Sequence, residues 1–228
     1  MSFFDLIRSL FKGPSDRALA AQLRQPSGAM AKKIGERMNG INRVLYDKTW
    51  SVMDIADGQH ILEIGFGNGL FFHDLMAHAN NLRVSGLDFS EAMVKEASEH
   101  NTALVRSGEL DLRNGNSDHM PFTNASYDSI FCINVAYFWE DPGAHLREIK
   151  RVLKPNGRFF TTIRTKKSME QMPFTQYGFK MYEPEDWAAT LRGNGFVADN
   201  IITMEEPVME LGGGHFRPIS SVIVASVA

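Results

Sequence analysis

Residues 61–69 read Ile61-Leu62-Glu63-Ile64-Gly65-Phe66-Gly67-Asn68-Gly69, and an amphipathic segment over residues 70–79 follows directly. This order indicates a strand, a tight glycine turn and a helix. Glycines adopt backbone angles closed to other residues and let a ligand approach the main chain. The free N–H groups at a helix N-terminus favour a negatively charged group. The segment therefore predicts a ligand-binding turn in an α/β fold, although a plain strand-to-helix turn would have the same composition.

Asp88 is a second landmark, because it ends the next apolar run and lies 19 residues beyond Gly69. An acid at the end of a second strand, roughly 20 residues after a glycine loop, is placed to accept hydrogen bonds from ribose hydroxyls. The loop departs from the dinucleotide pattern G-x-G-x-x-G, since Leu70 occupies the position of its last glycine. Asp88 would also suit the N-cap of the following helix, but Ser90 fits that cap equally well.

Five segments in chain order carry a resemblance to a known family. They are residues 63–69, 86–90, 120–122, 127–128 and 153–157. Together they resemble the successive motifs of class I S-adenosylmethionine-dependent methyltransferases, and most closely the ubiquinone/menaquinone-methyltransferase-like group that acts on small molecules. The resemblance implies S-adenosylmethionine as the cofactor, S-adenosylhomocysteine as the product and a small-molecule acceptor.

The same resemblance implies which residues bind the cofactor, and most of them follow predicted strands. They are Glu63, Gly65, Gly67, Gly69, Asp88, Phe89, Asn116, Ser117 and Asn134. Asn116 stands where the family usually has an aspartate that binds the adenine amino group. The amide keeps an acceptor oxygen but drops the charge. Whether Asn116 or Asp118 makes this contact therefore stays open.

The acceptor pocket is predicted from two aromatic stretches. Tyr137 and Trp139 follow the fourth strand, where the resembling family lines its acceptor pocket. Phe174 and Tyr177 lie in the methionine-rich and aromatic-rich segment 165–182, which is interpreted as a lid, with a packed surface loop as the alternative. Methionines suit adaptable pockets, so an apolar or aromatic small molecule is the favoured acceptor.

The catalytic group is not determined by the sequence. Methyl transfer from a sulfonium is an in-line displacement, and a base is needed only if the nucleophile arrives protonated. Tyr137, His119 and His215 are weak candidates for that base. No metal is predicted, because His73 and His78 are five residues apart and lack the i, i+4 spacing of a helical ligand pair.

The remaining pattern predicts an α/β, Rossmann-like fold with a seven-stranded, mostly parallel sheet, helices on both faces, an antiparallel C-terminal strand and extra N-terminal helices. Predicted strands are 60–64, 83–87, 109–113, 129–133, 158–164, 197–204 and 219–227. Predicted helices are 15–24, 28–38, 42–56, 70–79, 91–100, 142–152 and 184–192. We divide the chain into an N-terminal helical cap over residues 1–56 and a methyltransferase domain over residues 57–228.

Composition and charge limit the class of partner. The 228 residues carry a net charge of −3, which does not favour nucleic acid as a partner. No apolar stretch approaches the roughly 20 residues of a membrane span, so stable membrane insertion is not predicted. The single cysteine, Cys132, lies in an apolar run and is interpreted as a buried structural thiol. A cytoplasmic, reducing location is therefore the expectation.

Two other classes of function share parts of this pattern. A non-catalytic cofactor-binding protein of the same fold would keep the glycine loop and Asp88 and lack turnover. An NAD(P)-dependent oxidoreductase would share the same two features, but it would not have the loop spacing seen here or the C-terminal hairpin.

Residues 2–12 form a separate feature, because Phe3, Phe4, Ile7, Leu10 and Phe11 fall on one helical face. Packing on the chain's own domain or a homodimer contact is favoured over a membrane-surface anchor, since the segment carries only two bases.

We expect deletion of residues 2–12 to change oligomeric state or solubility more than cofactor affinity, because this apolar face lies far in sequence from the glycine loop. Light scattering and calorimetric titration with S-adenosylhomocysteine measure the two effects. Unchanged scattering together with lost binding would assign the segment to the cofactor site instead.

Overall fold

The computed structural model describes residues 15–211 and 214–228. The predicted helix over residues 2–12 and the glycines at 212 and 213 lie outside the described residues. The helices are α1 (Asp16–Arg24), α2 (Ala31–Trp50), α3 (Phe72–Met76), α4 (Glu91–His100), α5 (Thr102–Ser107), α6 (Pro142–Val152), α7 (Lys166–Met169) and α8 (Pro184–Gly193). The strands are β1 (His60–Ile64), β2 (Arg83–Asp88), β3 (Leu110–Asn114), β4 (Tyr127–Ile133), β5 (Leu153–Arg164), β6 (Phe196–Glu205), β7 (Met209–Leu211), β8 (Gly214–Phe216) and β9 (Ile219–Val227).

The described strands form one seven-stranded sheet in the order β3-β2-β1-β4-β5-β9-β6, and β7 and β8 form a separate two-stranded ribbon. Neighbours from β3 to β5 pair in parallel, whereas β9 runs antiparallel to both β5 and β6. The predicted α/β fold, with its mostly parallel sheet and reversed final strand, is confirmed. The hairpin of β6 and β9 places the reversed strand one position inside the edge.

Both faces of the sheet are covered, as the alternation of core residues along each strand requires. In β4, Ile130 and Cys132 belong to one hydrophobic core and Phe131 and Ile133 to the other. Helices α6 and α8 cover the first face, and α2, α3 and α4 cover the second. Cys132 is fully buried, as expected of a structural thiol.

The N-terminal half of the predicted helix pattern needs correction. The helices predicted at 28–38 and 42–56 are one continuous helix, α2, preceded by a single 3₁₀ turn at Gly28–Met30. Gly40 lies inside α2 and does not break it, because packing against the sheet outweighs the low helix propensity of one glycine. The hydroxyl of Thr49 lies 2.6 Å from the hydroxyl of Thr162 in β5, so α2 packs directly on the sheet. The division of the chain at residue 56 remains a prediction.

The prediction and the structure differ at two further helices. The helix predicted over residues 70–79 is shortened to the five residues of α3, and α5 was missed altogether. The segment 165–182, interpreted as a lid or a packed surface loop, contains α7 and a 3₁₀ turn at Pro173–Gln176. Met169, Met172 and Phe174 in this segment are buried.

Gly69 is a packing position between the glycine turn and α4. Its φ is +67°, and a Cβ atom built there would lie 2.7 Å from Cβ of Ala97. Gly108 provides a comparison, because its φ is +78° and a Cβ there would meet nothing within 4 Å.

We expect Gly69→Ala to lower the free energy of unfolding by about 2–3 kcal/mol, because the methyl group adds overlap with α4 to the strain of positive φ. Gly108→Ala introduces the strain of positive φ without a steric overlap, so it should lower the free energy of unfolding by about 1 kcal/mol. Urea denaturation measures both, and equal losses in the two variants would contradict the packing role.

Candidate active site

A cavity of about 500 Å³ lies at the carboxyl ends of the parallel strands, beneath the N-terminal helices. Ligands bind at these ends in open α/β sheets, because the loops after neighbouring strands converge there. The sheet side of the cavity is lined by Gly65, Gly67, Asp88, Phe89, Asn116, Ser117, Asp118, Asn134 and Trp139, among others. The helical side includes Leu23, Ile34, Met38, Asn42 and Tyr46.

The Asp88 carboxylate ends β2 and holds two loops together. Its Oδ2 accepts a hydrogen bond from the backbone N–H of Gly67 at 2.9 Å, and its Oδ1 accepts one from the N–H of Ser90, also at 2.9 Å. Ser90 caps α4, as predicted, through Oγ and the N–H of Met93. Burial raises the pKa of Asp88 to about 6, while both N–H groups act in the opposite direction. Each carboxylate oxygen retains a lone pair for a further donor.

Ser117 and His145 form a buried pair on the opposite wall. Ser117 Oγ lies 2.8 Å from Nδ1 of His145, which projects from α6. The imidazole stacks on Trp139 with ring centroids 4.7 Å apart and an interplanar angle of 9°. Burial lowers the pKa of His145, so the ring is neutral at pH 7. A neutral polar wall backed by an aromatic ring suits a flat heterocycle better than a charged group.

Asn134 follows β4 and connects helix α2 to the sheet. Its Nδ2 donates to Oδ1 of Asn42 in α2 at 3.1 Å, and its Oδ1 accepts from the Tyr137 hydroxyl at 3.1 Å. The Tyr137 oxygen also accepts a hydrogen bond from the backbone N–H of Arg164. Burial raises the pKa of Tyr137 well above its ordinary value, so its hydroxyl keeps its proton at neutral pH.

Glu63 lies beneath the glycine turn and does not line the cavity. Its Oε1 accepts a hydrogen bond from the Tyr46 hydroxyl at 2.5 Å. Burial, together with the nearby Asp88, raises the pKa of Glu63 to about 8, although the hydrogen bond from Tyr46 acts in the opposite direction. Glu63 is therefore mostly protonated at pH 7 in the ligand-free protein, and it fixes Tyr46 in the cavity wall.

A second, smaller cavity of about 70 Å³ adjoins the first, and both are lined by Leu23, Met38, Asn134 and Phe138. Its other lining residues are Ile41, Tyr137, Arg164, Met169, Met172, Phe174, Phe179 and Met209. Four methionines and three phenylalanine rings make this cavity predominantly apolar. We refer to it as the methionine cavity.

The predicted site residues fall into two groups. Gly65, Gly67, Asp88, Phe89, Asn116, Ser117, Asn134 and Trp139 line the larger cavity, and Tyr137 and Phe174 line the methionine cavity. Glu63, Gly69, Tyr177, His119 and His215 line neither. Tyr177, His119 and His215 have exposed side chains, and His215 lies on the two-stranded ribbon. Neither histidine lines one of these two cavities, and a catalytic role for either remains a prediction.

Sequence reasoning missed three polar residues of the site, namely Asn42, His145 and Arg164. Each lies on a regular element at a position that no motif marks. His145 and Arg164 lie near the end of a helix or strand, a position that many other polar residues share, and Asn42 lies in the middle of α2. Their partners are 92, 28 and 42 residues away, for the Asn42–Asn134, Ser117–His145 and Arg164–Glu206 contacts.

Metal and membrane features are absent from the parts of the chain that the structure describes. No group of three or more His, Cys, Asp or Glu side chains within residues 15–211 and 214–228 is arranged to hold a metal ion. None of the helices in these same ranges is long and apolar enough to cross a membrane.

The fold is that of the class I methyltransferases, and residues 62–161 match the family model described as a methyltransferase domain. The chain is 28% identical over 134 residues to the uncharacterized methyltransferase YdaC of Bacillus subtilis, covering 59% of this chain and 72% of that protein. It is 32% identical over 132 residues to the demethylmenaquinone methyltransferase of Lactiplantibacillus plantarum, covering 54% of each.

A chain in the solved complex of the Haloferax volcanii Trm112 methyltransferase activator with a candidate methyltransferase is similar in fold. Its TM-score is 0.73 at 18% identity, over 87% of this chain and 96% of that one. The resemblance to class I S-adenosylmethionine-dependent methyltransferases, including the ubiquinone/menaquinone group, is confirmed. Methyl transfer is the activity that this domain and fold support, and the fold implies S-adenosylmethionine as cofactor.

The raised pKa of Glu63 makes stability depend on pH. Glu63 titrates near pH 4.5 when unfolded and near pH 8 when folded, so the folded state binds more protons between these values. Stability is therefore lost as pH rises through this window. Glu63→Gln stays neutral and keeps an acceptor for Tyr46, so it should match the wild type at pH 5 and exceed it at pH 8 by on the order of 3 kcal/mol.

Urea denaturation of the ligand-free proteins at pH 5 and pH 8 measures this difference. Asp88 titrates in both proteins, but its charge acts on an ionisable Glu63 only in the wild type, so the comparison measures Glu63 together with this coupling. A stability difference between variant and wild type that is the same at both pH values would contradict a buried, neutral Glu63.

Proposed function

We propose that this protein transfers a methyl group from S-adenosylmethionine to an apolar small molecule. The observation that carries the proposal is the pair of adjoining cavities with a shared wall. The larger has a polar glycine loop and an acid, and the smaller is lined by methionines and aromatic rings. A polar cofactor and an apolar acceptor would meet at Asn134 and Phe138, where the two cavities join.

The larger cavity fits the cofactor by its donor and acceptor set. The free lone pairs of Asp88 would accept hydrogen bonds from the two ribose hydroxyls. A Cβ at Gly67 meets nothing within 4 Å, so this turn leaves open space on the cavity side for a ligand to approach the main chain. Phe89 and the Ser117–His145 wall would enclose the adenine ring, with Asn116 or Asp118 accepting from its amino group.

The methionine cavity supports an acceptor that is held mainly by apolar contacts. Methionine side chains are flexible and polarisable, so they adapt to the shape of a small apolar body. Exclusion of water around the reacting atoms would favour the in-line approach of nucleophile and methyl group. The chemistry supplied by the cofactor when bound is an activated methyl group on a sulfonium.

We infer that this protein does not remove a proton from the acceptor. Tyr137 lines the methionine cavity, but its raised pKa makes it a donor rather than a base at neutral pH. His119 and His215 lie outside both cavities. The acceptor would therefore be one whose nucleophilic atom is already free of its proton when it binds, and the chain's role would be to position it.

Names of relatives support a small-molecule acceptor. The protein from Lactiplantibacillus plantarum is named for the methylation of demethylmenaquinone, which is an apolar small molecule. This relative matches the chain over 54% of its own length, so its substrate indicates a class of acceptor and not the acceptor of this protein.

Calorimetric titration with S-adenosylmethionine, S-adenosylhomocysteine and NADH tests the cofactor half of the proposal. We expect micromolar binding of the first two and none of NADH. Asp88→Ala should weaken S-adenosylhomocysteine binding by at least about tenfold, because hydrogen bonds to a charged group are worth roughly 1.5–3 kcal/mol. Asp186→Ala is the matched control, since Asp186 is an exposed acid in α8, outside both cavities.

Binding of NADH alone would overturn the assignment in favour of an oxidoreductase. Unchanged affinity in Asp88→Ala would remove Asp88 from the cofactor site. Tight cofactor binding without methylation of any apolar acceptor would favour the non-catalytic cofactor-binding alternative.

A further inference from the structure

The methionine cavity contains one strong hydrogen-bond donor whose capacity its neighbours do not use up. Arg164 ends β5, lines this cavity and has a side chain that is 8% exposed. Its Nε and Nη2 both donate to the Glu206 carboxylate, each at 2.7 Å. Among the residues that the structure describes, Nη1 has no hydrogen-bond partner. Nη1 is not one of the fully buried unpartnered atoms of the described residues, so it is accessible from the cavity and free to donate to a ligand or to water.

The other polar groups of the cavity are already engaged. The Tyr137 oxygen accepts from the backbone N–H of Arg164 and donates to Asn134. The Asn134 amide nitrogen donates to Asn42. The remaining lining side chains are apolar. Of the described side chains that line this cavity, Arg164 therefore offers a charged donor, Nη1, beside the second hydrogen of the Asn134 amide.

The charge on Arg164 is balanced within the protein. Glu206 is fully buried, and its Oε1 also accepts a hydrogen bond from the Ser220 hydroxyl at 2.5 Å. The guanidinium and carboxylate together carry no net charge. An anionic ligand group would add an uncompensated charge to a desolvated site, whereas a neutral oxygen adds none.

We propose that Arg164 is a specificity-determining residue, and that the acceptor is an apolar molecule carrying a neutral hydrogen-bond-accepting oxygen, which binds Nη1 in the methionine cavity. This inference rests on the proposed function, because it takes the methionine cavity to be the acceptor side. It restricts the proposed class of acceptors to apolar molecules that carry a carbonyl or similar oxygen.

Acetophenone and ethylbenzene are suitable probes, since they are of similar size and differ in a carbonyl oxygen. Because the methionine cavity of about 70 Å³ holds only part of either molecule, the rest would extend through its open side. Ligand-observed NMR titrations with the full-length protein saturated in S-adenosylhomocysteine measure both affinities. We expect acetophenone to bind about tenfold more tightly, which corresponds to about 1.4 kcal/mol. The infrared carbonyl stretch of bound acetophenone should move to lower wavenumber, as a hydrogen bond from a charged donor requires.

Two variants separate this specific role from a structural one. Arg164→Lys keeps a cation for Glu206 and removes Nη1. The double variant Arg164→Met with Glu206→Met removes both charges together and leaves neither unpaired. In each, the preference for acetophenone should fall to within about twofold, while S-adenosylhomocysteine affinity stays unchanged. Met169→Leu is the control, since it alters the same cavity without changing a donor and should keep the preference.

Equal binding of the two probes to the wild type would overturn the inference, as would failure of acetophenone to bind or an unshifted carbonyl stretch. Retention of the preference in both Arg164 variants would also overturn it. These outcomes are distinct from failure of the proposed function, which would show as absent S-adenosylhomocysteine binding before any probe is added.

Discussion

The Asp88 carboxylate, held by two backbone N–H groups, is the interaction on which the site depends. One bond comes from Gly67 in the turn after β1 and the other from Ser90 at the start of α4. The carboxylate therefore fixes the spacing between two loops that belong to neighbouring strands. Its burial disfavours the charged form, and the two N–H donors offset part of that penalty. The same group is left with lone pairs that face the larger cavity.

Helix α2 is held to the sheet by polar contacts at several points along its length. Asn42 bonds Asn134 after β4, Tyr46 bonds Glu63 in β1, and Thr49 bonds Thr162 in β5. These contacts follow one face of the helix at spacings of four and three residues. They place Asn42 and Tyr46 in the wall of the larger cavity. Helix α2 thus packs on the sheet, and it forms the wall of the larger cavity on the side opposite the sheet.

The two cavities differ in character because of what supplies their walls. The larger is bounded by loops after β1 to β4, whose backbone groups and short polar side chains converge at the strand ends. The methionine cavity is bounded by α1, α2, the segments after β4 and β5, and β7, which contribute mainly apolar side chains. Arg164 is the charged residue among those described in this wall, and its pairing with Glu206 allows a cation to lie there.

The sequence by itself determined the α/β class, most of the strand positions and eight of the residues that line the larger cavity. The glycines and Asp88 are readable because strand, turn and helix are local elements, so a functional side chain falls at a fixed offset from a pattern. The continuous α2 was misread, because Gly40 weakens a helix locally while contacts to distant strands stabilise it. Only the tertiary structure decided the partners of Asn42, His145 and Arg164 and the burial of Glu63. These depend on elements that meet after folding, and no spacing along the chain records which side chains will face each other there.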